Sequence, residues 1–242
     1  MKKGWQTKTL GEICSFLNRG ISPRYLDRGG ICVLNQKCIR DHRVSYEPSR
    51  RHDVRAKRVG SERLIQAGDV LVNSTGTGTL GRVAQLREAP PEPTTVDSHV
   101  TIVRPTPGEF YPEFFGYMLV VIEDAIKEAG EGCGGQTELA RSVLAERFSV
   151  HYPESLAEQQ RIVGLLTKRL RALPPPKPTS ERTSTTPTSY SKVTSNQSSI
   201  SVARGGPRND WTKFALLVVV VRRPKVTAAI GAAKYLGFRD VI

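Results

Sequence analysis

The pattern of hydrophobic and polar positions predicts several short strands in the first part of the chain. Apolar runs bounded by glycines or turns, which are typical of buried strands, lie at residues 31–35 and 70–72, and another begins at Val83. Residues 96–105 alternate apolar and polar positions and end at Pro105, which predicts one strand with a single apolar face formed by Val96, Val100 and Ile102.

The segments around these strands have weaker patterns. Thr9, or Thr7 before it, leads into a short helical or extended segment that Gly20 closes. Residues 40–59 are basic and have no clear periodicity, so we expect them to be rich in loops. Residues 89–95, with three prolines, are predicted to be a linker.

Two stretches have the spacing of amphipathic helices. Residues 112–130 form one predicted helix that Gly130 ends, and its apolar face consists of Phe115, Met118, Leu119, Ile122 and Ile126. Ser155 and Glu158 have the spacing of a capping box, which predicts the start of another helix. Its apolar positions include Leu156, Val163 and Leu166.

The elements together predict an α/β (α+β) fold, a single domain with a mixed sheet and flanking helices. A strand at residues 148–153, with alternating Phe148, Val150 and Tyr152, completes the domain, which we assign to residues 1–153. Residues 154–170 are assigned to the start of a helix that is cut short. Residues 171–242 are rich in Pro, Ser and Thr at first and offer no partner elements later, so we expect a disordered or non-native tail.

The net charge of +13 suggests a polyanionic partner, but its distribution is uneven. Residues 168–242 hold 14 basic and 3 acidic residues, which leaves 22 basic and 20 acidic residues in the rest. Residues 1–63 hold 15 basic against 6 acidic residues, whereas residues 105–167 hold 4 against 10. The first quarter is therefore a basic field that suits nucleic acid, although a solvated surface is an equally good interpretation.

Other classes of protein are disfavoured by what the sequence contains. The cysteines Cys14, Cys32, Cys38 and Cys133 have neither the number nor the spacing of a disulfide framework or a zinc finger, so we interpret them as reduced thiols. The longest apolar run, residues 214–221, is too short to cross a membrane, and the first ten residues do not have the pattern of a signal peptide. We expect a soluble, cytoplasmic protein.

The glycine-rich stretch "LVNSTGTGTLGRV", residues 71–83, invites comparison with phosphate-binding loops. It has no lysine in the P-loop position, and its GxGxxG spacing is followed by a predicted strand rather than a helix, so a nucleotide site is disfavoured. The alternatives are a tight hairpin turn or a loop that contacts a polyanion or the edge of a base. The donors and acceptors in the second interpretation are Ser74, Thr75, Thr77, Thr79 and Arg82.

Five blocks, in this order, resemble the target recognition domain of type I restriction-modification specificity subunits. They cover residues 5–166 and read "LGEICSFLNRGISP", "ICVLNQKCI", "AGDVLVNSTGTGTLGRV", "VDSHVTIVRP" and "GGQTELARSVLAERFSVHYPESLAEQQRIVGLL". The resemblance implies a non-catalytic subunit in which each recognition domain reads one half of a split DNA sequence. Modification subunits, which hold S-adenosylmethionine, and a restriction subunit, which uses ATP and Mg²⁺, would carry out the chemistry. This chain would bind no cofactor itself.

The resemblance places the glycine loop on the DNA-facing side together with the "NQKCIR" segment. The implied contacts to bases and phosphates add Gln36, Lys37, Arg40, His99 and Gln136 to the loop residues. His99 is equally well explained as a structural hydrogen-bonding group, and Gln136 as the cap of a helix. Residues 43–58 contribute further arginines and a lysine that suit phosphate attraction.

The sequence departs from the family after Leu166, where a long spacer helix is expected to continue. One permitted set of codons for residues 189–199, shifted by one base, encodes "ELFESHLQSVF", which resembles that helix. The tail is therefore interpreted as out-of-frame translation of a disrupted gene. The chain would then be a specificity subunit or a half-subunit that pairs with a second copy. The alternatives are a relic that does not bind DNA and a fragment of a fused restriction-modification enzyme.

Overall fold

The structure, a computed structural model, describes residues 4–130 and 138–171. Its strands are β1 (Trp5–Thr9), β2 (Cys14–Arg19), β3 (Tyr25–Leu26), β4 (Ile31–Leu34), β5 (Ile39–Arg40), β6 (Arg43–Val44), β7 (Arg50–His52), β8 (Val70–Asn73), β9 (Val83–Gln85), β10 (Thr94–Val96), β11 (Val100–Pro105) and β12 (Ser149–Pro153). Its α-helices are α1 (Leu10–Ile13), α2 (Pro112–Val121), α3 (Glu123–Gly130), α4 (Arg141–Arg147) and α5 (Leu156–Arg171).

A central antiparallel sheet with the strand order β2-β11-β8-β9 separates two apolar clusters. Because side chains alternate along a strand, β8 contributes Val70 and Val72 to one cluster and Leu71 to the other. β11 does the same with Val103 and Ile102. Both faces of this sheet are therefore buried, which explains the nearly continuous apolar runs in its sequence.

Helices cover one face of the central sheet. Their buried side chains include Phe114, Phe115, Met118, Leu119, Ile126, Leu144 and Ile162. The other face packs against a second sheet with the strand order β10-β4-β7-β3, in which β10 and β4 run parallel. The molecule has three layers, with helices, the central sheet and a mixed sheet, and the predicted fold class is confirmed.

The predicted helix over residues 112–130 is wrong in one respect, because it breaks at Ile122 into α2 and α3. The run Val120–Val121–Ile122 is β-branched, and such residues have low helix propensity. Ile122 has ψ close to zero and its amide donates to the carbonyls of Met118 and Val120, which closes α2. Glu123 then begins α3 with a carboxylate that suits a helix N-terminus.

The predicted strand over residues 96–105 is also wrong, since it divides between the two sheets. β10 ends at Val96, and Asp97 turns the chain by accepting the amide of His99 at 2.9 Å before β11 begins at Val100. Thr94 and Thr95 of the predicted linker belong to β10, where they pair with β4. The basic region that we expected to be loop-rich contains β6 and β7.

The local signals at helix starts are confirmed. Thr9 and Glu12 form a capping box at the start of α1, so that the segment before Gly20 is a short helix followed by a strand. The Ser155 hydroxyl accepts the amide of Glu158 at 3.4 Å at the start of α5. Of its predicted apolar positions Leu156 is exposed, but Val163 is buried in the helical cluster beside Ile162 and Leu166 packs against that cluster.

The described cysteines are free thiols. Burial, with a smaller contribution from the charge of Glu109, raises the pKa of Cys14 to about 12, and burial raises the pKa of Cys38 to about 11. They are therefore protonated and unreactive near neutral pH. Cys133 and residues 172–242 of the predicted tail lie outside the described residues, whereas Arg171, the first residue assigned to the tail, ends α5. In the described part of the chain, none of the helices is both long and apolar enough to cross a bilayer.

Candidate nucleic-acid interface

The glycine-rich stretch connects two antiparallel strands, as predicted. β8 and β9 flank it, and Gly76, Gly78 and Gly81 all have positive φ values, of 104°, 74° and 78°. The strand after Gly81 takes the place of the helix that a dinucleotide-binding loop requires. The loop is therefore a hairpin connection between two strands. It lacks the following helix that binds the pyrophosphate in a dinucleotide-binding loop.

Half of the loop's amides are used inside the loop. The amides of Thr79 and Leu80 donate to the Gly76 carbonyl, and the amide of Gly81 donates to the Asn73 carbonyl at 2.8 Å. Among the described residues, the amides of Thr77 and Gly78 have no backbone acceptor. Thr77 and Gly78 are also exposed, so the tip offers successive amide donors to a ligand.

A buried asparagine fastens the loop to the segment after β4. Asn73 is fully buried, and its side-chain nitrogen donates to the Gln36 carbonyl at 3.0 Å. The Gln36 side chain in turn accepts the hydroxyl of Thr79 at 2.9 Å. The glycine loop and the "NQKCIR" segment, which are about forty residues apart in sequence, are thus one structural unit, as the resemblance implied.

The same segment continues into a small hairpin that brings further basic residues to the loop. β5 and β6 pair with Ile39 opposite Val44 and Arg40 opposite Arg43, joined by a two-residue turn. Ile39 is buried in the cluster between the sheets, and the hairpin packs against β8 and β9. Because residues 39 and 40 point to opposite faces, Arg40 and Arg43 are on the outer face, where both are exposed.

The predicted contact residues differ in accessibility. Lys37, Arg40, Thr77 and His99 are exposed, and Gln36, Thr75, Thr79 and Arg82 are half-buried. Ser74 is fully buried with its hydroxyl bonded to Thr101, so its side chain is a structural group and not a candidate contact. Gln136 lies outside the described residues.

His99 and Thr75 form a pair at the edge of the loop. The Thr75 hydroxyl lies 2.7 Å from His99 Nδ1, while the His99 carbonyl accepts the amide of Ser74. These contacts support the structural interpretation of His99 for its backbone and one ring nitrogen. The exposed ring remains accessible, and within the described ranges Nε2 has no hydrogen-bond partner.

The arginines at this face fall into two groups. Arg19 pairs with Glu138 at 2.8 Å and also donates to the Leu139 carbonyl, which ties the chain before α4 to β2. Arg82 donates to the Gly78 carbonyl at 3.0 Å and so supports the loop tip. Arg40 and Arg43, in contrast, have no acidic partner among the residues that the structure describes.

We define the contact surface as the loop tip, the hairpin end and the exposed ring beside them. Its members are Gln36, Lys37, Arg40, Arg43, Thr77, Gly78, Arg82 and His99. The surface joins basic side chains that form no ion pair within the described ranges to amide, hydroxyl and guanidinium donors. Such a combination is suited to phosphates and to the edges of bases.

Sequence reasoning missed two features of this surface. Asn73 stood at the end of an apolar run and carried no signal of its pairing with a distant carbonyl. The β5–β6 hairpin was hidden in a basic stretch, although Ile39 and Val44 lie on either side of Arg-Asp-His-Arg, whose two central residues are both types that tolerate left-handed backbone. That flanking pattern was the available signal.

Comparison with known proteins gives the fold a reference. No family model and no curated protein matches the chain. A solved structure described as the basis of complex assembly and conformational transition of the type I R-M system is 19% identical, with a TM-score of 0.54 over 71% of this chain and 40% of that one. The HsdS subunit from Thermoanaerobacter tengcongensis is also 19% identical, with a TM-score of 0.52 over 71% and 39%.

The described domain has the fold of a target recognition domain of the kind found in these S subunits. The chain spans about two fifths of the length of the chains that it matches.

Proposed function

We propose that this chain recognises a DNA sequence as the specificity subunit, or a half-subunit, of a type I restriction-modification complex. The observation that carries the proposal is the contact surface, where the glycine loop and the β5–β6 hairpin are fastened together and present unpaired basic groups on an S-subunit-like fold. Backbone phosphates supply affinity to such a surface, and base edges supply specificity.

The role proposed for the chain is recognition without catalysis. Methylation and cleavage belong to modification and restriction subunits, and S-adenosylmethionine, ATP and Mg²⁺ are bound by those partners. The single described domain reads one half of a split sequence, and α5 (Leu156–Arg171) is the start of the spacer helix. Pairing with a second copy would then supply the other half.

The test is selection of bound duplexes from a randomised DNA pool by the full chain, with and without modification subunits. We expect enrichment of a short motif and binding that weakens steeply with salt. Replacing Arg82 or Lys37 with Ala should relax preference at one position by about 1–3 kcal/mol if that side chain reads a base. Uniform weakening would identify a phosphate contact instead.

A matched control is Arg147→Ala on α4, which removes an exposed arginine from the helical layer. It should bind the selected duplex like the unaltered chain. Selection that enriches no sequence, with the modification subunits present, would show that the domain is a relic and would contradict the proposal.

A further inference from the structure

The turn of the β5–β6 hairpin has an unfavourable backbone. Asp41 and His42 have φ values of 51° and 56°, in the left-handed region that residues other than glycine rarely adopt. A two-residue hairpin turn of this type needs that conformation at both positions, and Asn-Gly is its usual sequence. Such strain persists only where neighbouring groups hold the segment in place.

The group that holds this turn is a buried carboxylate on another element. His42 Nε2 lies 2.7 Å from Glu123 Oε2, and Glu123 Oε1 lies 2.5 Å from Lys127 Nζ. The Glu123 side chain is only 13% exposed. Burial raises the pKa of Glu123, but the hydrogen bonds from His42 and Lys127 outweigh burial and keep the pKa below its usual value. The carboxylate is therefore charged and bonded on both oxygens.

The same helical turn also contacts the glycine loop. A Cβ atom built on Gly81 would lie 2.8 Å from the Lys127 backbone nitrogen and 2.9 Å from its Cα atom. α3 thus touches the loop through its backbone at Lys127 and the hairpin through the Glu123 side chain one turn earlier. The glycine loop and the β5–β6 hairpin, which carry the contact surface, are therefore both in contact with α3.

The hairpin end that Glu123 holds carries two like charges. Arg40 and Arg43 are directly opposite each other across the hairpin, an arrangement that is unfavourable without an anion. Both are exposed, and neither has an acidic partner in the described part of the chain. A phosphate bound by both guanidinium groups would relieve this repulsion through charge-assisted hydrogen bonds.

We infer that Glu123 is a positioning residue that, through His42, holds the Arg40–Arg43 pair in place for a phosphate of bound DNA. The inference rests on the proposed function and adds to it a residue that does not belong to the contact surface. The contact with Glu123 holds the turn in its strained conformation. The turn then fixes the separation of the two arginines, which they need in order to bind one anion together.

The first experiment measures amide hydrogen exchange in the hairpin of the full chain without DNA. Glu123→Ala and His42→Asn should both speed exchange at Arg43, which pairs with Arg40 across the turn, and at Ser45, whose amide donates to the Cys38 carbonyl at 2.8 Å. His42→Asn keeps a residue that tolerates the turn but shortens the side chain. Asp124→Ala is the matched control, since it removes a neighbouring charge that contacts Lys127 and not His42.

The second experiment measures the slope of log K against log salt on the selected duplex. Arg40→Ala with Arg43→Ala should lower the slope by about 0.9 for each DNA phosphate that the double variant no longer binds. Glu123→Ala and His42→Asn should lower it by part of that amount, with Glu123→Gln between them and the unaltered chain. Asp124→Ala should keep the original slope.

The outcomes separate the two proposals. An unaltered chain that binds no duplex contradicts the proposed function. Unaltered binding together with a normal slope and normal hairpin exchange in Glu123→Ala overturns the positioning role alone. If Glu123→Ala lowers Tm strongly, His42→Asn tests the same contact from its other side, because it shortens the side chain that reaches Glu123.

Discussion

Two regions of the molecule use polar side chains in opposite ways. One is the junction where α5 packs on the domain, and the other is the contact surface. At the junction, Gln159 is fully buried, and its amide accepts from Tyr111 N at 2.7 Å and donates to the carbonyls of Glu109 and Pro153. On the contact surface, Lys37 and the hairpin arginines have no side-chain partners among the described residues. The buried amide of Gln159 is satisfied by the protein itself, whereas the exposed groups of the contact surface are available to a ligand.

The arginines show that residue type does not distinguish the two situations. Arg104 donates to the buried carboxylate of Asp69 and to the Leu64 carbonyl, and Arg51 donates to Glu92 and to the carbonyls before β4. These side chains stabilise loops and β-strands. Arg40 and Arg43 have the same chemistry, but among the residues that the structure describes they have no such acceptors, so the distinction lies in their surroundings.

The largest effect is expected when the buried side chain of Gln159 is removed from the junction with α5. Gln159→Ala would leave one amide and two carbonyls without partners in a buried position, and each such group costs about 1–3 kcal/mol. We expect the free energy of unfolding to fall by about 4 kcal/mol in urea titrations. Gln160→Ala, at the exposed neighbouring position, should change it by no more than about 0.5 kcal/mol. Equal effects of the two variants would show that Gln159 is not an anchor.

The next largest effect is expected at the glycine loop, where two glycines with similar backbones have different surroundings. Gly81→Ala places a methyl group against the backbone of Lys127, whereas Gly78→Ala meets nothing within 4 Å. Both variants carry the cost of a positive φ, about 1 kcal/mol, so the difference between them measures the contact with α3. We expect Gly81→Ala to cost about 2–3 kcal/mol in all and to weaken DNA binding.

Gly78→Ala serves as the control for backbone strain in this pair. It should cost about 1 kcal/mol of stability and leave the position of the loop unchanged. If Gly78→Ala were as damaging as Gly81→Ala, the loop would be sensitive to strain alone, and its packing against α3 would have no special part in placing the contact surface.

What could be predicted from the sequence was set by how far apart the interacting residues are. The helix start at Ser155 and Glu158 and the glycine hairpin were predicted because each depends on residues within a few positions. The contacts of His42 with Glu123 and of Asn73 with Gln36 join residues that are 81 and 37 positions apart, and no local pattern encodes them. The break at Ile122 was missed because the apolar periodicity continues across it.

The residues of the contact surface could likewise be predicted only in part, because their exposure depends on contacts between distant residues. The residue types in the glycine loop and in "NQKCIR" indicated donors for DNA, but only the fold separates Ser74, which bonds to Thr101 inside, from Thr77 at the tip. Alternation along a strand cannot say where the strand ends and the loop begins to face solvent. Arg43 gained importance in the structure because pairing with Arg40 depends on a hairpin register that the sequence pattern did not reveal.

A smaller change in stability, with the opposite sign, is expected when one arginine of the contact surface is removed. Arg43→Ala abolishes a like-charge pair, so the free chain should be more stable by about 0.5 kcal/mol while its binding to DNA weakens. Thermal unfolding and DNA titration of the same variant measure both changes. Arg104→Ala is the counterpart from the interior and should lower stability because it leaves the buried Asp69 carboxylate without its main partner. A loss of stability in both variants would show that arginines with acceptors in the fold, such as Arg104, do not differ in this respect from those of the contact surface, such as Arg43.

The smallest expected effect is the pH dependence of the anchor between α3 and the hairpin. The pKa of Glu123 lies below its ordinary value of 4.5, with burial opposed by the hydrogen bonds from His42 and Lys127; Asp124 faces Lys127 from the same helix. A carboxyl group with a lowered pKa stabilises the fold above that ordinary value, and the contribution is lost as the pH falls through the lowered one. The difference in unfolding free energy between the unaltered chain and Glu123→Gln should therefore narrow as the pH falls below about 4.5. A difference that stays constant over this range would mean that the charge of Glu123 contributes nothing, and that the anchor depends on hydrogen-bond geometry alone.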